Sequence, residues 1–137
     1  MTEPAAAPMS VLEAIARRRS VRAYAPQAID ERTVRALLEA AVQAPTAMHA
    51  EPWAFVIVQD PQLLKRHSDR AKAMLLEHAA TFHDLHRISA PARDSAFARA
   101  LVSPDFNIFY DAGTLIVLCG QTSGPFVPAD CWLAAEN

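Results

Sequence analysis

The chain has 137 residues, 52% hydrophobic and 20% charged, with a formal net charge of −2. That length fits one domain with a core of its own, and that balance excludes both a disordered chain and a membrane-embedded one. The near-neutral charge argues against a general nucleic-acid or anionic-membrane binder.

Residues 1–9, rich in alanine and proline, read as a loose arm ahead of one domain over 10–137. The arm carries an acid and no apolar signal core. Ser10-Val11-Leu12-Glu13 spells a capping box, which predicts a helix to about Arg18 with Val11, Leu12 and Ile15 on its apolar face. Ser20 to Ala28 reads as extended or loop, with Pro26 breaking any helix. Asp30 is the expected N-cap of a second helix, with Ile29 and Val34 at staple positions. Val34, Leu37, Leu38, Ala41 and Val42 form its amphipathic stripe, and Pro45 ends it. A loop over Thr46 to Pro52 then leads into a β-branched and aromatic strand, Trp53 to Val58.

Asp60-Pro61 opens a third helix, expected to reach about Phe82. The stretch from His83 to Asn107 has weak periodicity and reads as irregular or short helical structure. Thr114 to Cys119 is the clearest strand, apolar on both faces and so expected to be central in a sheet. Its Leu115 to Cys119 run is a clean apolar stretch, far short of the ~20 residues a membrane span needs. A turn at Ser123-Gly124-Pro125 follows, and Asp130 is the expected cap of a last helix. That helix has only about two turns before Asn137 and no glycine stop, so the chain is expected to be part of a longer protein. A large apolar surface, including Trp132, Leu133 and parts of the Thr114–Cys119 strand, should then be exposed or covered by another chain.

All three glycines, Gly113, Gly120 and Gly124, lie late in the chain. No dinucleotide-type or P-loop glycine motif is present, so arginines would have to hold any phosphate. Cys119 and Cys131 are too few for a disulfide scaffold and show no C-x-x-C spacing. Cys119 reads as a small buried hydrophobe, and the chain as cytoplasmic with free thiols. His78, His83 and His86 read as solvated helix residues rather than metal ligands. Tyr24, Trp53 and Phe55 read as core, and Trp132 as part of an apolar helix face.

Two segments carry possible chemistry. Arg17-Arg18-Arg19-Ser20-Val21-Arg22 puts four arginines and a serine at a helix end. A charge run is most often a solvated face, and arginine at a helix C-terminus suits the helix dipole without any ligand. Lysine is scarce, however, with only Lys65 and Lys72. Clustered arginine then suggests planar, multidentate anion binding, with the Ser20 hydroxyl as a further donor. The second segment, Ala44 to Phe55, is a polar loop held between a helix and a strand, a common ligand site and also an ordinary connection.

Together, R-R-S-V-R-A-Y from Arg18, L-L-E-A-A-V-Q-A-P to Pro45 and P-W-A-F-V-I-V from Pro52 resemble the nitroreductase family of flavin enzymes. D-C-W-L-A-A-E-N from Asp130 resembles the start of that family's long central helix, and the likeness runs from Val11 to Asn137. It implies an α+β fold with a mixed sheet wrapped by helices, and a homodimer with FMN in a cleft between subunits. It implies that Arg18, Arg19, Ser20 and Arg22 hold the FMN phosphate and ribityl end, and that Pro45, Thr46 and Ala47 lie beside the flavin ring. His49 and Glu51 stand where the family commonly has Asn and Gln at the ring's pyrimidine edge. A carboxylate there only accepts hydrogen bonds and would lower the flavin's reduction potential, which a protonated His49 would offset. Alternatively, both side chains point to solvent.

The implied activity is hydride transfer from NAD(P)H by way of the flavin to a nitroaromatic, quinone or similar acceptor. The flavin supplies the chemistry, so no side-chain acid or base is required. The family's remaining contacts would lie beyond Asn137. The rival reading is a non-catalytic flavin-binding or structural remnant of the fold, which the departures at His49 and Glu51 and the short C-terminal portion favour.

Overall fold

The computed structural model describes residues 9–78, 96–121 and 124–137. In chain order the elements are α1 (Val11–Arg17), α2 (Glu31–Ala41), a 3-10 turn (Ala47–His49), β1 (Trp53–Val58), α3 (Pro61–Glu77), α4 (Ala96–Val102), β2 (Leu115–Gly120) and α5 (Val127–Glu136). The class is α+β, as expected. The arm over residues 1–8, and His83 and His86, read above as solvated, lie outside the described residues. Helix α3 ends at Glu77; the remainder of its expected span, 79–82, also lies outside them.

Three helices start where the sequence places them. The Ser10 hydroxyl accepts from the Glu13 N–H at 3.2 Å, and the Glu13 carboxylate accepts from the Ser10 N–H in return. Asp30 accepts from the Thr33 N–H at 2.7 Å, and Asp60 from the Leu63 N–H at 2.8 Å. The bond from Thr33 holds the Asp30 carboxyl below its ordinary range. The last helix differs from expectation. It begins at Val127, with Phe126 at the N-cap and no side-chain cap bond, so Asp130 lies inside it. Pro128 fits the first turn because a proline's missing N–H would have no helical partner there anyway.

The two strands pair antiparallel, with Trp53 opposite Gly120, Phe55 opposite Leu118 and Val58 opposite Leu115. Among the described residues β2 pairs with β1 alone, which corrects the expectation of a central strand buried on both faces. The parallel pairing of a mixed sheet is not among these residues. Period-two alternation sorts the side chains. Trp53, Phe55 and Leu118 pack on a core of Ala41, Ala44 and Ala134. On the opposite face Val56 is 50% and Val117 39% exposed. Cys119 is on that open face and is exposed, contrary to the buried reading; an apolar run shows that a face can be buried, not what covers it. Trp132, 74% exposed, and Leu133 belong to the expected uncovered apolar surface.

Helix α5 crosses the end of β2 so closely that a Cβ on Gly120 would strike the Val127 side chain. Gly113 plays a similar part ahead of β2, where a Cβ would run into the Gln27 carbonyl. Around that approach the Thr114 hydroxyl accepts from the Ile29 N–H at 3.1 Å, and the Gln59 amide donates to the Ile29 carbonyl at 2.7 Å. The extended segment before α2 is thus tied to the start of β2.

A second polar tie joins α3 to the chain after α4. Lys72, only 6% exposed, donates to the carbonyls of Ser103 at 3.1 Å and Phe106 at 2.7 Å. The fully buried Ser68 hydroxyl accepts from the Ile108 N–H at 3.0 Å. Lys65 and Lys72 together hold the Asp69 carboxyl below its ordinary range.

Candidate functional site

Arg18 caps the C-terminus of α1, and its ψ of 130° turns the chain into the extended segment that follows. The whole stretch from Arg17 to Arg22 is exposed. Its cations are not equivalent. Arg17 pairs with Glu13 one helical turn back, at 3.3 Å. Arg19 donates to the carbonyls of Ala16 and Arg18, at 2.9 and 2.8 Å. The side chains of Arg18, Ser20 and Arg22 make no hydrogen bond or ion pair among the described residues.

Arg22 lines an open cleft of about 300 Å³ with Tyr24, Asp105, Asn107, Tyr110 and Asp111. Tyr24 is not core, as its sequence setting suggested. Its hydroxyl donates to the Val21 carbonyl at 3.1 Å, and its ring also borders a neighbouring apolar cleft of about 620 Å³. On the far wall, Tyr110 and Asp111 hold φ values of 54° and 56°, a left-handed backbone that non-glycine residues rarely adopt. Lys72 and Ser68 fix the chain just before them.

The α2–β1 loop is built differently. Ala44 and Pro52 are buried at its ends, and Pro45 through Glu51 are half-buried or exposed. Thr46 is extended, and the 3-10 turn follows. Met48, His49 and Glu51 have φ values of 58°, 53° and 42°. Such residues cost about 1–3 kcal/mol each and persist where surrounding contacts over-determine the backbone. Two such contacts are present. The Ala47 N–H donates to the Asp130 carboxylate at 3.1 Å, and the Pro52 carbonyl accepts from the Gln121 N–H at 2.8 Å. The side chains of His49 and Glu51 are exposed and make no bond among the described residues.

The structure therefore gathers Arg18, Arg19, Ser20 and Arg22 in one exposed segment, and Pro45, Thr46, Ala47, His49 and Glu51 in one strained loop. No hydrogen bond or ion pair joins the two segments. Sequence reasoning placed Asp130 as a helix cap and missed its bond to the Ala47 N–H. It also missed the left-handed loop, which contains no glycine to announce it. The guanidiniums of Arg18 and Arg22, in no ion pair among the described residues, fit a phosphate-bearing ligand, although Asp105 and Asp111 share the Arg22 cleft. Among the described residues no group of three His, Cys, Asp or Glu could hold a metal, and no helix is long and apolar enough to cross a membrane.

The chain belongs to the nitroreductase family, whose sequence profile matches residues 15–137. A protein of Archaeoglobus fulgidus, named as an NADH dehydrogenase/NAD(P)H nitroreductase, is 38% identical over 58 residues, covering 42% of this chain and 33% of its own. An iodotyrosine deiodinase of Haliscomenobacter hydrossis is 39% identical over 46 residues, covering 34% of this chain and 21% of its own. Among solved structures, a nitroreductase with bound FMN from Bacteroides fragilis superposes with a TM-score of 0.70 at 29% identity, over 94% of this chain and 62% of that one. The chain thus spans less than two thirds of the length of these relatives.

Proposed function

We propose that this chain is the FMN-binding portion of a nitroreductase-type oxidoreductase, taking hydride from NAD(P)H and delivering it to a nitroaromatic, quinone or similar acceptor. The single observation that carries the reading is the pair of guanidiniums, Arg18 and Arg22, without a partner among the described residues and flanking Ser20, in a family member whose Bacteroides relative binds FMN. Bound FMN would supply the hydride chemistry, and this chain's residues bind and orient it.

Arg18 and Arg22 neutralise the phosphate through charge-assisted bonds, and the Ser20 hydroxyl adds a donor. Arg19 braces the turn through its bonds to Ala16 and Arg18 while adding positive charge. Pro45, Thr46 and Ala47 flank the ring, and His49 and Glu51 meet its pyrimidine edge. Because no hydrogen bond or ion pair among the described residues ties the arginine segment to the loop, a homodimer whose site draws on both subunits suits the arrangement. A cytoplasmic setting suits its free thiols.

The test is FMN titration. Each charge-assisted bond is worth about 1.5–3 kcal/mol. Arg22→Ala should therefore weaken FMN binding roughly ten- to a hundredfold. Arg32→Ala, exposed on α2, should leave binding unchanged. The parent should purify yellow and bleach with NAD(P)H. Equal affinity in Arg22→Ala and parent would refute the phosphate assignment, and a yellow protein that does not bleach would refute the activity.

A further inference from the structure

Asp130 is 4% exposed, in the first turn of α5. A buried carboxylate is costly unless its oxygens are bonded. Its recorded partner is the backbone N–H of Ala47, far away in sequence and inside the loop assigned above to the flavin ring. The helix N-terminus favours the negative charge and does not by itself explain that partner. A second bond makes the arrangement more specific. At the other end of α5, the Asn137 amide donates to the Ala40 carbonyl at 2.8 Å, in the last turn of α2. Between the two, Ala134 packs on Ala41 and Ala44. Helix α5 therefore follows the chain from the end of α2 into the loop, and Asp130 makes its final hold. Immediately after that hold come the left-handed residues Met48, His49 and Glu51.

We propose that Asp130 is a positioning residue: by accepting the Ala47 N–H, its carboxylate sets the strained backbone that presents Pro45, Thr46, Ala47, His49 and Glu51. It touches no ligand itself. The link to the flavin rests on the function proposed above; the tether to the loop does not. An Asn at 130 keeps an acceptor of the same shape, whereas an Ala removes it. Replacing Ala47 with Pro deletes the donor and leaves α5 untouched.

The experiment uses the full chain with Asp130→Ala, Asp130→Asn and Ala47→Pro, and two readouts. Amide hydrogen exchange without flavin should show Ala47 exchanging roughly tenfold faster in Asp130→Ala, equivalent to about 1.4 kcal/mol, with the amides of β1 unchanged. Exchange should return to the parent rate in Asp130→Asn. FMN titration should show a similar, roughly tenfold loss in Asp130→Ala and Ala47→Pro, with an altered visible circular dichroism of the bound flavin, and parent behaviour in Asp130→Asn. Should Asp130→Ala not fold, faster exchange at Met48 to Ala50 and weaker FMN binding in Ala47→Pro carry the same conclusion. Unchanged Ala47 exchange in Asp130→Ala overturns the tether. Faster exchange with unchanged FMN affinity and dichroism overturns the positioning role. A parent that takes up no FMN, yet shows the exchange response, removes the cofactor reading and leaves the tether standing.

Discussion

Helices α1 and α5 differ in what makes them helical. Helix α1 has both bonds of a capping box and an i,i+4 ion pair between Glu13 and Arg17, yet buries no residue. Its Val11, Leu12 and Ile15 face outward, with Leu12 79% exposed. Helix α5 has no side-chain cap, but it buries Asp130 and Ala134 and lies against β2 at Gly120. A cap contributes about 1 kcal/mol and an exposed ion pair about 0.5 kcal/mol or less. A seven-residue helix resting on those terms alone is marginal. Local signals say where a helix starts, and burial says whether the rest of the molecule depends on it. The two proposed site segments inherit this difference: the arginines follow the helix with no burial, and the ring-side loop hangs from the packed one.

The largest effect should come from a polar tie in the packed part. Lys72→Met fills similar space and donates nothing to the Ser103 and Phe106 carbonyls. We expect a loss of about 3 kcal/mol, in the range for breaking a buried charged interaction from one side. Urea unfolding measures it. A loss well under 1 kcal/mol would show that the segment after α4 is held by its apolar contacts, such as Phe106 edge-on to Phe97, and not by the lysine.

A smaller effect should follow at the centre of the α2–α5 contact. Ala134 is 2% exposed and meets Ala41 and Ala44, so Ala134→Leu must push the two helices apart. Overpacking of this kind costs about 1–3 kcal/mol. If burial is what α5 depends on, the urea midpoint falls and the Ala47 amide loosens with it. A midpoint equal to the parent would mean that α5 is as loosely held as α1.

What the sequence revealed follows the same division. The starts of α1, α2 and α3 were legible because Ser10, Asp30 and Asp60 act within three residues of themselves. The strand Trp53 to Val58 was legible from its β-branched and aromatic residues. The arginine segment and the loop were legible as residue types in order, through family likeness. The long-range facts were not. Asp130 read as a cap because its partner, Ala47, is an alanine backbone with no side-chain signal. Cys119 and Val117 read as buried because composition does not record which face of a two-stranded sheet is covered. The left-handed backbone at Met48, His49, Glu51, Tyr110 and Asp111 was hidden because none of the five is glycine.

The smallest effect should come from α1, where the comparison is most open to failure. Ser10→Ala removes the hydroxyl that accepts the Glu13 N–H, and with it the reciprocal box. That should cost about 1 kcal/mol of local helix stability. Because α1 buries nothing, the loss should stay local: faster amide exchange over Val11 to Arg17, with no change in the urea midpoint. A midpoint drop as large as that of Ala134→Leu would show that the apolar face of Val11, Leu12 and Ile15 is packed in solution. The covering would then come from outside the described residues, because among them that face is exposed. Such a result would make α1 and α5 alike, and would tie the arginine segment that follows α1 to whatever covers it.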